Sequence, residues 1–168
     1  MSPTKNIGVI LGRLQPFHAG HVILIDHACE ENDEIVIAIG SPQNGHVISL
    51  DTDPLDFEER AHRVALYMHE YHPTYTRYRI VSVPDINDMR YWPSHLKRMC
   101  LIGRTQKAHF YTGEKLPETY AKGMRDGGYI IRHIPRGSFE HTTPDGVTHM
   151  IACATDIRAL HRDRGFPI

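Results

Sequence analysis

Only three cysteines occur in 168 residues, and they stand far apart at Cys29, Cys100 and Cys153. That number and spacing exclude a disulfide framework and a zinc-finger arrangement, and point to reduced thiols in a cytoplasmic protein. No apolar run approaches the roughly 20 residues that cross a bilayer, so no membrane association is expected. The opening residues, Met1 to Asn6, lack the basic start and long apolar stretch of a signal peptide. Nor is there a basic excess. Nineteen Lys and Arg stand against 20 Asp and Glu, which argues against a general nucleic-acid binder but leaves room for a local pocket for a small anion. Repeats, low-complexity tracts and linkers are missing too, so the length is read as one domain over residues 1–168.

What the chain does have is alternation. Asn6 to Leu11 reads as a short buried strand. Gly20 to Glu31 carries apolar residues at Val22, Ile23, Ile25 and Ala28, near helical spacing. Ile35 to Ile39, rich in β-branched residues, reads as a second buried strand. Together they form a βαβ unit, with a right-handed crossover expected. A helix is expected to start at Asp53-Pro54 and run through Tyr71, with Leu55, Ala61, Val64, Ala65 and Met68 on its apolar face. Further on come a strand over Tyr78 to Val83, a helix from Trp92 to Ile102 and a strand over Ala108 to Tyr111. A helix over Thr119 to Arg125 closed by Gly127-Gly128, a strand over Tyr129 to Ile134 and a last short helix over Thr155 to His161 complete the pattern. Residues 44–53 and 137–146 read as longer loops. Such alternation predicts an α/β fold, an open parallel sheet with helices on both faces. Ligands of such sheets sit beyond the carboxyl ends of the strands.

The residues after the first strand carry chemistry. Gly12 lets the backbone approach a ligand closely. Arg13 can fork onto phosphate oxygens. His18 and His21 flank Gly20 where a helix begins, and a helix start favours an anion. Two imidazoles, an arginine and free N–H groups suit phosphoryl or nucleotidyl transfer, which needs positioning and donors aimed at oxygens that gain charge. Near the C-terminus, Thr155 is placed to cap a short helix from whose first turn Arg158 projects.

Gly12-Arg13-Leu14-Gln15-Pro16-Phe17-His18-Ala19-Gly20-His21 resembles the HxGH signature of the nucleotidyltransferase superfamily. More narrowly, it is similar to the GRxQPxHxGH form of nicotinamide-nucleotide adenylyltransferases of the archaeal type. The adenylyltransferase half of their bifunctional Nudix relatives shares that form. The resemblance implies a single Rossmann-like sheet of nucleotidyltransferase type, with no Nudix domain expected after Arg158. It implies that His18, His21 and Arg13 act on ATP phosphates, with Gln15 and Gly20 in the same segment. Cys153-Ala154-Thr155-Asp156-Ile157-Arg158 resembles the family's Ser-x-Thr-x-Ile-Arg segment, which closes over those phosphates through Thr155 and Arg158; Cys153 stands where Ser is usual.

The acceptor side is read the same way. Gly40-Ser41-Pro42-Gln43 resembles the family's Gly-Ser-Ala-Gln segment near the ligands, but no arginine follows in residues 47–51. Phe57-Glu58-Glu59-Arg60 resembles a family Phe-x-Glu-Arg segment and is read as a charged helix face. The stretch Val83-Pro84-Asp85-Ile86-Asn87-Asp88 through Trp92 resembles the family's Pro-x-x-Asp…Trp region, where the resemblance implies that Trp92 stacks on the nicotinamide ring, a cation–π arrangement, and Asp85 is placed to accept a hydrogen bond from the acceptor; a unique tryptophan by itself reads as core. Gly113, in Tyr111-Thr112-Gly113-Glu114, matches a Ser-Gly-Asn segment with Glu114 for the Asn. The expected reaction joins ATP and nicotinamide mononucleotide into NAD and pyrophosphate, with Mg²⁺ on the ATP phosphates, and a homo-oligomer is implied. Nicotinate mononucleotide, phosphopantetheine or FMN are the alternative acceptors, and a non-catalytic nucleotide sensor is the alternative class. Glu140, His141 and His149 form no metal-site spacing, and no protein metal ligand is named.

Overall fold

The computed structural model describes residues 5–41, 55–135, 137, 139–142, 148–151 and 157–159. Five strands form one sheet: β1 (Asn6–Gly12), β2 (Glu34–Gly40), β3 (Tyr78–Val83), β4 (Lys107–Thr112) and β5 (Tyr129–His133). Their order is β3-β2-β1-β4-β5, and every pairing is parallel. The order reverses between β1 and β4. Strands buried on both faces read as continuous apolar runs, and β2 (EIVIAIG) is buried from Ile35 to Gly40.

Helices α1 (Ala19–Glu31) and α2 (Phe57–Tyr71) cover one face, and α3 (Trp92–Met99) and α4 (Glu118–Asp126) the other. The pleat sorts the side chains. Ile10, Ile35, Ile37, Ile39 and Tyr111 pack with Leu24, Ile25, Val64 and Met68. Val9, Val36, Ala38, Ala108 and Phe110 pack with Trp92, Leu96 and Met124 on the opposite side. Gly8 is required by a close approach, since a Cβ there would lie 2.9 Å from Asn32 Nδ2. That amide donates to the Ala28 carbonyl at 2.9 Å and to the Tyr111 hydroxyl at 2.8 Å, which seats the end of α1 on the sheet.

Several expected boundaries move. α2 begins at Phe57 rather than at Asp53-Pro54. The cap is Asp56, whose carboxylate accepts from the Glu59 N–H at 2.8 Å, and Leu55 lies outside the helix. Asp53, Pro54 and the loop 44–53 lie outside the described residues. α3 stops at Met99, where Leu101 turns left-handed (φ 51°), instead of continuing to Ile102. The segment read as a loop over 137–146 contributes β6 (Phe139–Thr142), which pairs antiparallel with β7 (Thr148–Ile151). Its sequence, FEHT, has neither a β-branched run nor an apolar stretch to signal a strand. Of the final helix, residues 157–159 are described and helical.

Candidate active site

β1 and β4 end side by side at the point where strand order reverses, and the chain leaves both at the same edge of the sheet. A cavity of about 430 Å³ opens there. The end of β1, the loop after it and the start of α1 supply Gly12, Arg13, Gln15, His18 and His21 to its wall. The end of β4 supplies Thr112, Gly113 and Glu114, and Tyr120 and Arg158 close it from α4 and the C-terminal helix. Seven residues singled out from the sequence, Gly12, Arg13, Gln15, His18, His21, Gly113 and Arg158, therefore share one cavity.

Both histidines are built into the start of α1. His18 is the N-cap, and its Nδ1 accepts from the Gly20 N–H at 3.0 Å. His21 Nδ1 accepts in turn from the His18 N–H at 3.3 Å. The rings lie 4.0 Å apart and both are 8 % exposed. A ring nitrogen that accepts carries no hydrogen, so the neutral tautomer of each imidazole has its hydrogen on Nε2. The backbone thus fixes two Nε2–H donors at a helix N-terminus, where the dipole already favours an anion. Gly12 keeps this arrangement open. A Cβ there would sit 3.2 Å from Leu14 Cδ2 and 3.4 Å from His21 Nε2.

The other positions fall out differently. Gln15 lines the cavity, but its side-chain amide pairs with the Leu55 backbone, donating at 2.7 Å and accepting at 3.0 Å. Arg158 donates to the Gln15 carbonyl, which holds it at the cavity wall. Gly20 is buried in the first turn of α1. Gly40, Ser41 and Asp85 gather beside the cavity at the ends of β2 and β3, where Ser41 Oγ donates to Asp85 at 2.6 Å. Gln43 and Thr155 lie outside the described residues.

Trp92, the expected stacking platform, is 7 % exposed. Its ring belongs to the core beneath α3, and Nε1 donates to the Tyr120 hydroxyl at 2.9 Å. Its outer edge lines a crevice of about 90 Å³ with Met89 and Tyr120. Tyr120 stands between this crevice and the main cavity. It was missed because nothing in Glu118-Thr119-Tyr120-Ala121 separates a cavity tyrosine from a core one.

Arg60, read as part of a charged helix face, is instead 2 % exposed. It donates to the Arg13 carbonyl at 2.8 Å and the Gly40 carbonyl at 2.9 Å. Leu14 (φ 53°) and Ser41 (φ 48°), the residues just after those carbonyls, are left-handed. Such a conformation costs a residue with a Cβ about 1–2 kcal/mol. Backbone strain of this kind gathers where ligands are held. Among the described residues, no group of three His, Cys, Asp or Glu side chains comes together to hold a metal ion. No described helix is long and apolar enough to cross a membrane.

Parallel strands, a cavity at the switch point and fixed imidazole donors on a helix start define a nucleotide-binding α/β protein equipped for group transfer. The comparisons narrow this: the chain belongs to the cytidylyltransferase-like family, whose model matches residues 9–120. It is 35 % identical to a nicotinamide-nucleotide adenylyltransferase of Methanothrix thermoacetophila, over 94 % of each chain. It is 31 % identical to a protein of that name from Methanococcus vannielii, over 84 % of this chain and 86 % of the relative. In fold it resembles a bifunctional NMN adenylyltransferase/ADP ribose pyrophosphatase from Francisella tularensis, with a TM-score of 0.69 and 20 % identity. That match covers 93 % of this chain and 42 % of the larger one.

Proposed function

We infer that this chain is an adenylyltransferase that moves AMP from ATP to nicotinamide mononucleotide, giving NAD and pyrophosphate. The observation that carries the reading is the pairing of His18 and His21 in one cavity with Arg13 and Arg158, with both Nε2–H groups held as donors by the backbone. The names of the two archaeal relatives support the choice of acceptor.

In this reading ATP enters as its magnesium complex. Magnesium keeps several waters and is bound mainly through substrate phosphates. ATP's triphosphate lies along the start of α1. A phosphate oxygen of the mononucleotide attacks the α-phosphorus in line. The new O–P bond forms as the bond from the α-phosphorus to the bridging oxygen breaks, and pyrophosphate leaves with that electron pair. The protein needs no covalent intermediate for this; it orients two anions and offsets the charge that builds on oxygen. His18 and His21 donate to the phosphate chain, and Arg13 and Arg158 add cationic donors to it from the same cavity wall. Gly12, Gly20, Gly113 and Thr155 let the nucleotide lie close to the backbone or cap it, and Gln15 anchors the loop. Gly40, Ser41, Gln43 and Asp85 form the acceptor side, with the edge of Trp92 as its outermost element. One nucleotidyltransferase domain over residues 1–168, a cytoplasmic location and a homo-oligomeric state belong to the same proposal.

The test is an acceptor panel. ATP is supplied with nicotinamide mononucleotide, nicotinate mononucleotide, phosphopantetheine or FMN, and released pyrophosphate is measured. The reading expects the largest kcat/KM with nicotinamide mononucleotide. A larger value for any other acceptor removes that assignment. Trp92 is the only tryptophan, so its fluorescence reports this position alone. Quenching by nicotinamide mononucleotide is expected; an unchanged spectrum at saturation takes Trp92 out of the site.

A further inference from the structure

Arg60 is a cation with 2 % of its surface exposed, and its guanidinium is spread over four backbone carbonyls. Nε donates to Asp56 at 2.9 Å, Nη1 to Arg13 at 2.8 Å and Gly40 at 2.9 Å, and Nη2 to Ser41 at 3.3 Å. Asp56 is the cap of its own helix. The other three carbonyls lie at or just beyond the ends of β1 and β2. Arg13 belongs to the loop that leads from β1 to His18, the cap of α1, and to His21 in its first turn. Gly40 and Ser41 stand at the end of β2, where the Ser41 hydroxyl donates to Asp85 at 2.6 Å. One planar fork therefore ties the ATP side of the site to the acceptor side, with the loop after β3 one hydrogen bond further on.

The bonds fall where the backbone is strained. Leu14 directly follows the Arg13 carbonyl, and Ser41 directly follows that of Gly40; both have positive φ. Such residues persist only where the surroundings over-determine them, and here the same side chain holds both. A buried cation is a poor means of stabilising a fold, because desolvation offsets much of what its bonds return. Its distinctive capacity is geometric. A guanidinium presents five donors in a fixed plane, whereas an ammonium is a single point on a flexible stem.

We propose that Arg60 is the positioning residue of the transfer reaction, setting the Arg13 loop against Gly40 and Ser41 at the end of β2 so that donor and acceptor phosphates meet in line. It acts through those two segments and touches neither substrate. The inference rests on the adenylyl-transfer reading, since it is the meeting of two substrates that demands a fixed distance between the loops.

The experiment compares Arg60→Lys and Arg60→Met with the parent, at a temperature where circular dichroism shows all three folded. Each is made with and without Arg13→Ala. Displacement of a loop by about an ångström costs up to roughly 10²-fold in rate, so a fall in kcat of about 10- to 100-fold is expected in Arg60→Lys. The loss should appear in kcat rather than in KM, and it should persist in the Arg13→Ala background, because the carbonyl that Arg60 holds is main chain and that substitution leaves it in place. A folded Arg60→Lys with kcat within about twofold of the parent overturns the proposal, as does a loss confined to KM. The Arg60 Nε–H resonance of the unaltered protein gives a second readout that needs neither a folded variant nor turnover. Slow exchange and a shift on ATP binding support the strut; a resonance unmoved by saturating ATP overturns it. If the parent forms no NAD but this resonance responds to ATP, the acceptor assignment falls and the strut stands. If NAD forms and the variants lose nothing, the reverse holds.

Discussion

At the scale of single residues, the account rests on hydrogen atoms whose positions the backbone dictates. His18 and His21 each spend Nδ1 on a main-chain N–H. Replacing either by alanine removes an Nε2–H donor, and turnover is expected to fall about 10²–10³-fold. Steady-state kinetics of the two variants checks this, and an unchanged kcat removes the replaced residue from the mechanism. Gly12→Ala tests the same geometry from the other side. Its Cβ would crowd Leu14 Cδ2 at 3.2 Å and fill the space against His21 Nε2 at 3.4 Å, so kcat should drop while the melting temperature changes little. A buried hydroxyl away from the site gives a control of opposite sign. Among the described residues Tyr129 Oη finds no partner, and a buried unsatisfied group costs about 1–3 kcal/mol. Tyr129→Phe should therefore raise the denaturation midpoint; a lower midpoint would mean the hydroxyl is satisfied after all. The residues that share the cavity were legible because glycine, arginine and two histidines at fixed spacing after a buried strand have few other uses. The placements of Tyr120 and Arg60 were not. Whether an aromatic or a charged side chain faces a cavity, the core or solvent depends on tertiary neighbours that spacing does not encode.

At the scale of elements, strands were easier to read than helix ends. β1 and β2 announce themselves as apolar runs because the sheet buries them on both faces. The start of α2 was misplaced because Asp53-Pro54 and Asp56 are both plausible caps, and only the structure shows Asp56 accepting from Glu59. Asp56→Ala should cost about 1 kcal/mol, as loss of an N-cap usually does. Chemical denaturation checks this; an unchanged midpoint would mean that another group caps the helix. The end of α1 is fastened by a polar cluster. Glu31 accepts from the Tyr111 hydroxyl at 2.8 Å and from Arg132 at 2.9 Å. The Tyr111 hydrogen bond, aided by Arg132, holds Glu31 below the usual carboxylate range. Its stabilisation is thus present above the unfolded-state value near 4.5 and is lost as pH falls through the lower folded-state value. His109, in the same cluster through Asn32 at 2.7 Å, is held below its usual 6.5 by burial and then by Arg132. It therefore favours the folded state above that pH and withdraws its support as the pH drops below 6.5. The two effects share a sign. Glu31→Gln should lower the melting temperature at pH 7, and the gap from the parent should close in acid. A gap that stays constant down to pH 3 would rule out this linkage.

At the scale of the whole molecule, five parallel strands with helices on both faces place a cavity where strand order reverses, and the motif-bearing loop opens into it. That much follows from the βαβ pattern alone, because open parallel sheets bind at this point. What the pattern could not supply is the closure of the site by pieces distant in the chain. Arg158 reaches the Gln15 carbonyl across 143 residues, and Arg60 reaches Arg13 across 47. The central claim is that this assembly joins ATP to nicotinamide mononucleotide. The most direct measurement is mass-spectrometric detection of NAD after incubation of the purified protein with ATP, Mg²⁺ and nicotinamide mononucleotide, beside His18→Ala as the control. The account predicts NAD and pyrophosphate in equal amounts from the parent and a rate at least a hundredfold lower from the variant. ATP bound tightly with no NAD formed, or NAD formed equally fast by His18→Ala, would contradict it.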